Sequence, residues 1–401
     1  MSDSSSPRLG WQLTVLTVSR LVLNTGLRMA YPFLPAFARG LGVSLPAVAS
    51  LVSLRGFAGL LSPLFGPLSE RYGRRPVVTG ALLFAAAGSV VVLLRPGFWT
   101  FGLALTVIAL AKVIYDPAMQ AYLGDTVAYA RRGRALAITE LSWAGAFLLG
   151  VPALGFVIQR QGWQAPFLWL ALAAVGAALL LRRSLPTNDG RSGQIVDLRT
   201  TAAVIRREPV IWAAAVYIML VMGANELVLI VYGDWMEQNF ALSLTSLGLA
   251  TGVIGGAEVS GELLVGVSVD RFGKRPVIIL TGFLTALMHL AIPFTSATLI
   301  SALISLFALF LFFEMTVVGG IPLMTEIVPH ARGVVMSIVL AAGGLGRAIG
   351  ALLGPAIWLR GGFAVLGLAA GIMVFVAVLV LARWVREGGQ ALDPQALEAR
   401  Q

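Results

Sequence analysis

The 401 residues contain no cysteine. That excludes disulfides, thiolate metal sites and cysteine nucleophiles, and it leaves the compartment open. Charge is scarce. Asp, Glu, Lys and Arg make up 12% of the chain, about half of the roughly 25% typical of a soluble domain. Acids are the rarer sign, 19 against 29 bases, and the two histidines, His289 and His330, are each alone in their regions. No metal site is expected from them. Gly-x-x-x-x-Gly-Lys-Ser/Thr, His-Glu-x-x-His and Gly-x-Ser-x-Gly are all missing. ATP hydrolysis, and enzyme chemistry generally, are therefore not expected, and neither is a cofactor. Met1 to Gly10 carries no small-residue cleavage site behind a short apolar core, so no removable signal peptide is expected.

Apolar residues are what the chain has in excess, at 58%, with a mean hydropathy of +0.88. Runs of the roughly 20 residues that a bilayer-crossing helix needs recur twelve times. In the first half they are 11–38, 43–69, 76–94, 98–124, 134–159 and 163–182. In the second they are 209–236, 243–269, 276–294, 297–326, 333–359 and 362–385. Residues 187–208 read as a polar linker and 387–401 as a polar tail, so the expected bundles are 1–186 and 209–386. With an even number of spans both termini share a side. Loops on that side carry 20 Lys and Arg, while the opposite loops carry only Arg39, Arg95, Arg160 and Arg360. The positive-inside rule then expects cytoplasmic termini in a multi-pass inner-membrane protein. The net charge of +10 does not point to nucleic acid, because the bases form no stripe with interleaved aromatics.

The chain also repeats itself. Gly66-Pro67-Leu68-Ser69-Glu70-Arg71-Tyr72-Gly73-Arg74-Arg75-Pro76 returns 200 positions later as Gly266-Val267-Ser268-Val269-Asp270-Arg271-Phe272-Gly273-Lys274-Arg275-Pro276. A period of half the chain means two related halves. In each copy glycines permit a tight turn and close helix approach.

These features resemble the major facilitator superfamily over essentially the whole length. The repeated stretch matches that family's loop signature Gly-x-x-x-Asp-Arg-x-Gly-Arg-Arg, with Glu70 for the first Asp and Asp270 retained in the second. Tyr31-Pro32-Phe33-Leu34-Pro35 and Arg132-Gly133-Arg134-Ala135 resemble its twelve-helix drug/proton antiporter branch. The resemblance implies an all-α membrane fold of two pseudo-symmetric six-helix bundles, transport by alternating access, and a central cavity among spans one, four, seven and ten. It also implies a charge cluster of Glu70, Arg71, Arg74 and Asp125 at one mouth, with Asp270, Lys274 and Glu326 in the matching places, acting as a latch between states. The alternative for these loops is a solvated basic segment that only sets topology.

Ionisable side chains inside spans cost roughly 2.5–3.5 kcal/mol each at mid-membrane, so each is a functional candidate. Arg20, Asn24, Arg28 and Tyr31 share a helical face of span one. Lys112, Tyr115 and Asp116 share one in span four, where Lys112 and Asp116 are spaced to pair. Asn225 and Glu226 lie in span seven, Glu314 in span ten, Arg55 in span two, Glu140 in span five, Glu258 and Glu262 in span eight, and Arg347 in span eleven. Glu262 is expected near the span end. The bases gather in the first half and the acids in the second. Either two charged walls face a polar or zwitterionic substrate, or the charges close on one another as salt bridges.

The expected cavity residues are Asn24, Arg28, Tyr31, Arg55, Lys112, Tyr115, Asn225, Glu258 and Arg347. Proton coupling needs a carboxyl that loads on one side and unloads on the other. In water a Glu, with a pKa near 4.3, does not load at neutral pH, but one alternating between an apolar site and a cation does. Glu226 and Glu314 are the candidates, with Asp116 in reserve. The expected function is proton-coupled efflux of a small amphipathic compound by a monomer in the lipid bilayer. Uptake of a polar metabolite and lipid-flipping export are the alternatives. From other classes, an intramembrane enzyme or a channel would fail to accumulate substrate in an uncoupler-sensitive way.

Overall fold

A computed structural model of the protein describes residues 7–186, 208–328 and 331–385. The expected linker, apart from Glu208, and the expected tail lie outside the described residues. Every regular element among the described residues is helical. Span one runs Pro7–Arg28 and continues as Ala30–Leu41. Span two is Leu45–Gly56, a tighter turn at Phe57–Leu61, and Ser62–Tyr72. Spans three and four are Arg74–Leu94 and Phe98–Thr126. Span five is Tyr129–Gly145, a wider turn at Ala146–Gly150, and Val151–Gln161. Span six is Ala165–Ser184. Spans seven to ten are Pro209–Phe240, Leu244–Phe272, Lys274–Thr295 and Leu299–Glu326. The last helix, Arg332–Trp384, is broken at Gly362 into spans eleven and twelve.

The break in span one has a local cause. Pro32 and Pro35 have no N–H, so the carbonyls of Arg28 and Tyr31 lose their helical partners and the winding loosens at Met29. Elsewhere the side chains that stop and start helices recur in both halves. Ser44 caps span two and Ser243 caps span eight, each accepting from a backbone N–H three residues on. Left-handed residues close spans one and seven at Gly42 (φ 66°) and Ala241 (φ 49°). The loop after span two turns at Gly73 (φ 87°), and its copy turns at Gly273 (φ 84°). Gly162 (φ 86°) and Gly362 (φ 65°) likewise separate spans five from six and eleven from twelve. The sequence repeat is thus also a repeat of backbone turns.

Large apolar side chains such as Leu149, Leu263, Val267 and Ile300 remain exposed on the outside of the bundle, as a lipid-facing surface permits. The face carrying Pro7, the Arg71–Arg75 loop and Val385 is called the basic face below; the other is the far face. The two six-helix halves meet mostly in the far-face half of the membrane. A Cβ at Gly233 of span seven would lie 2.0 Å from the Pro32 carbonyl oxygen of span one. One at Gly155 of span five would lie 2.6 Å from the Leu244 carbonyl oxygen of span eight. Ser53 of span two donates to the Ala348 carbonyl of span eleven at 2.7 Å. Arg39 and Glu237 pair at 2.7 Å on the far-face rim. Small residues let helices pack closely: Gly346 and Gly350 of span eleven sit against the carbonyls of Met219 and Gly223 in span seven.

Candidate functional site: a charged cavity between the halves

Behind that seam lies a cavity of about 370 Å³, lined by spans one, five, seven, eight, ten and eleven. Asn225 and Leu229 lie at its depth. Ala137, Glu262 and Ile321 line it nearer the basic face, roughly one to three turns from the ends of their spans. The molecule is therefore closed on the far face, and its cavity leads towards the basic face.

Arg28 is the cross-piece. Its guanidinium forms a two-pronged ion pair with Glu258 of the opposite half, one prong being 2.7 Å long. It also donates to the Trp143 carbonyl at 2.8 Å. Its flat faces lie 4.3 Å from the Trp143 ring and 3.4 Å from the Phe147 ring. Phe147 belongs to the wider turn of span five, a local winding that often occurs at functional sites. Arg28 and Glu258 are both almost fully buried, and a desolvated pair of this kind persists only because each satisfies the other.

A second knot surrounds Glu226. Tyr31 donates its hydroxyl to Glu226 at 3.0 Å, and Arg347 approaches the same oxygen at 3.6 Å. Arg55 sits over the Tyr31 ring at 4.6 Å and donates to the Leu27 carbonyl. A third knot lies within the first half. Asp116 takes Arg20 at 3.0 Å and Lys112 at 2.6 Å, while Arg20 also reaches Glu140 at 2.8 Å.

Glu314 differs from all of these. It is only 6% exposed, it lines the cavity, and among the described residues it makes no hydrogen bond or ion pair. Gly261 of span eight lies against its Cβ and Cγ, a space that a Cβ there would occupy.

Residues 16–232 and 218–400 match the Major Facilitator Superfamily. The chain belongs to that superfamily. Among relatives, it is 27% identical over 373 residues to the "Uncharacterized MFS-type transporter YwfA" of Bacillus subtilis, covering 89% of this chain and 88% of that one. It is 26% identical over 387 residues to the "Inner membrane transport protein YdhP" of Escherichia coli, covering 93% and 96%. In fold it resembles the inward open xylose transporter XylE from E. coli, with a TM-score of 0.74 at 18% identity over 97% and 98% of the two chains. It is a membrane-embedded secondary transporter of small molecules, not an enzyme, and it works by alternating access.

Of the expected cavity residues in this transporter, Arg28, Asn225, Glu258 and Arg347 line the cavity, as does Glu314. Tyr31 and Arg55 stand behind it through Glu226. Three of the expected cavity residues, Asn24, Tyr115 and Lys112, are not in its lining. Asn24 binds Ser142 inside the first half. Tyr115 donates to the Leu16 carbonyl and is buried in the first-half core. Lys112 and Asp116 are drawn into the Arg20 knot, so span four contributes nothing to the lining. The physical reason is the same each time: a same-half partner lay within reach, and a buried polar group takes the nearest one. Glu262, expected near a span end, lines the cavity, and so do Glu140, Trp143 and Phe313. Of these, only Glu140 and Glu262 were signalled in the sequence, as ionisable groups inside spans.

The loop clusters are corrected in part. Arg74 pairs with Asp125 at 3.2 Å and donates to Ser69 at 2.6 Å, and Lys274 pairs with Glu326. Glu70 and Asp270 make no ion pair among the described residues. The turn at Gly73 separates Glu70 from Arg74, so their spacing of four is not helical spacing. Arg71 lies over the Tyr72 ring at 5.4 Å. Each ion pair also stays within one half and does not cross the interface.

Proposed function

We propose that this transporter exports a small amphipathic compound from the cytoplasm in exchange for protons, acting as a monomer in the inner membrane. The observation that carries this reading is Glu314: a buried carboxyl without a hydrogen bond or ion pair among the described residues, open to the cavity and on a wall shared with Glu258 and Glu262. Glu314 is therefore the first candidate for the proton carrier. Glu226, already met by Tyr31 and Arg347, is the second, and the doubly paired Asp116 comes last. The excess of bases on one face supports cytoplasmic termini, and that face is the one towards which the cavity leads. The halves 1–186 and 209–386 would rock about the site, with 187–208 joining them. The antiporter-like stretches at Tyr31–Pro35 and Arg132–Ala135 favour exchange over uptake.

The test is transport into proteoliposomes under an imposed pH gradient, against a panel of drugs, lipids and metabolites. Glu314→Gln is expected to abolish gradient-driven accumulation while preserving substrate binding or exchange. Should Glu314→Gln and Glu226→Gln both still accumulate substrate, neither carboxyl carries the proton.

A further inference from the structure

The two halves differ at one matching corner, on the outer surface of each bundle. In the second half Arg275, at the start of span nine, reaches the end of span twelve. It donates to the Val385 carbonyl at 3.0 Å and to the Ala382 carbonyl at 2.5 Å. That tie continues a longer seam, in which Gly371 of span twelve packs on the Ala286 carbonyl and the Leu290 side chain of span nine. Arg275 stands eleven residues before Ala286, and Ala382 stands eleven after Gly371. Eleven residues make about three helical turns, so Arg275 and Ala382 lie on the two faces that already meet.

The repeat offset of 200 carries this seam into the first half, as Arg75 with Arg182 and Ala86 with Ala171. Ala86 and Ala171 are buried in one apolar cluster with Val77, Val78, Leu181 and Leu185. Spans three and six therefore meet as spans nine and twelve do, but the chemistry at their ends differs. Among the described residues Arg75, half-buried, makes no side-chain hydrogen bond or ion pair, and neither do the exposed Arg182 and Arg183. The end of span six is tied from span one instead: Trp11 donates to the Ser184 hydroxyl at 3.0 Å and Gln12 to its carbonyl at 3.1 Å. The neighbouring acid, Asp125, is taken by Arg74.

Two guanidinium groups thus stand on facing edges of adjacent helices. Packed helices lie about 8–10 Å apart, so both side chains can reach one anion from opposite sides. Like charges placed this way repel until an anion lies between them, and the planar fork of Arg matches phosphate oxygens two at a time. The surface just below is aliphatic and exposed, with Leu83 on span three and Val175 and Leu179 on span six. All three lie within about 14 Å of the basic-face ends of their helices. Phe283 and Phe375 take the places of Leu83 and Val175 in the second half. A phosphate carried on acyl chains fits both parts of the first-half corner, and a basic crevice between membrane helices is the usual recognition site for such a headgroup.

We propose that the basic-face end of the crevice between spans three and six binds an anionic phospholipid, its phosphate bridging Arg75 and Arg182 with Arg183 beside them, and its chains lying on Leu83, Val175 and Leu179. The bound phosphate then joins spans three and six as Arg275 joins spans nine and twelve. The site is separate from the cavity and does not depend on what the cavity carries or on which ion drives transport.

The unmodified full chain, purified in detergent and stripped of lipid, gives the first test. Phosphatidylglycerol, phosphatidylcholine and inorganic phosphate are added in turn, and binding is read by native mass spectrometry and thermal unfolding. Phosphatidylglycerol is expected to bind at least tenfold more tightly than phosphatidylcholine, and inorganic phosphate to give no protection at the same concentration. Equal binding of the two lipids overturns the proposal. Equal protection by inorganic phosphate makes the corner a site for a soluble anion and overturns it too. A phosphatidylglycerol with a photoreactive headgroup then locates the site without any variant. Adducts are expected beside positions 75 and 182, and adducts confined to the second-half corner overturn the assignment. Arg75→Gln/Arg182→Gln is expected to weaken phosphatidylglycerol binding at least tenfold. Arg271→Gln/Arg383→Gln, which removes the same charge from the second half, is expected to change it less than twofold. Equal losses in the two folded variants would mean that affinity follows net charge and not this corner, which also overturns the proposal.

Discussion

At the residue scale, Arg28 and Glu258 show how a costly pair becomes a joint between two bundles. Each is buried deeply enough that removing one strands the other, which costs about 3–5 kcal/mol when the lost partner is an ion. Arg28→Met and Glu258→Leu are each expected to lower the unfolding temperature sharply. The double variant should lose much less than the two together, because it leaves no stranded charge. A double-mutant cycle on thermal unfolding checks this, and simple additivity would show that the pair contributes no coupling. The sequence marked both residues as candidates, because a charge in mid-span is expensive wherever it falls. It did not say that they would find each other across 230 positions. It did pair Asp116 with Lys112 by spacing, but it did not say that Arg20 would join them.

At the scale of the element, the matched turns are the informative feature. Gly42 and Ala241 hold equivalent left-handed positions, but only the first is glycine. A side chain in that conformation costs roughly 1–2 kcal/mol. Ala241→Gly is therefore expected to stabilise the protein by about 1 kcal/mol, allowing for glycine's extra chain entropy, and Gly42→Ala to destabilise it by about as much. Melting temperatures of the two variants in detergent should move in opposite directions. Arg74→Ala belongs to this scale too. It removes the tie from the start of span three to Asp125 at the end of span four, so turnover is expected to fall while membrane insertion is kept. Unchanged transport at normal expression would reduce that ion pair to a topology signal. The turns themselves were legible, because the repeated glycines stood out in the sequence. The loosened helix at Met29 was legible only in its cause, the two prolines.

For the molecule as a whole, the far-face seam decides which state is seen. Its closest points are backbone against backbone, at Gly233 with Pro32 and at Gly155 with Leu244. The exposed Arg39–Glu237 pair contributes about 0–1 kcal/mol, so small residues and not that ion pair hold the seam closed. Gly233→Ala places a methyl group where the Pro32 carbonyl stands. It is expected to shift the equilibrium towards a far-face-open state by at least tenfold, about 1.4 kcal/mol. Because the chain has no cysteine, Val318→Cys provides a single reporter inside the cavity. An impermeant thiol reagent should label it from the basic face, and Gly233→Ala should reduce that labelling. Identical labelling in both backgrounds would mean that the seam does not control access.

The sequence alone determined the twelve spans, their duplication and the asymmetry of basic loops. Each of these depends on local length, hydropathy or repetition, which no distant contact can change. It also determined the list of ionisable groups that must find partners, because the penalty for an intramembrane charge is paid at its own position. Only the tertiary structure decided the pairing. Arg28 reached across to Glu258, span four turned its charges inward to span one, and Glu262 and Glu314 came to share a wall without an ion pair among the described residues. Partner choice depends on which faces of packed helices meet, and helical periodicity fixes a face without fixing the neighbour it meets.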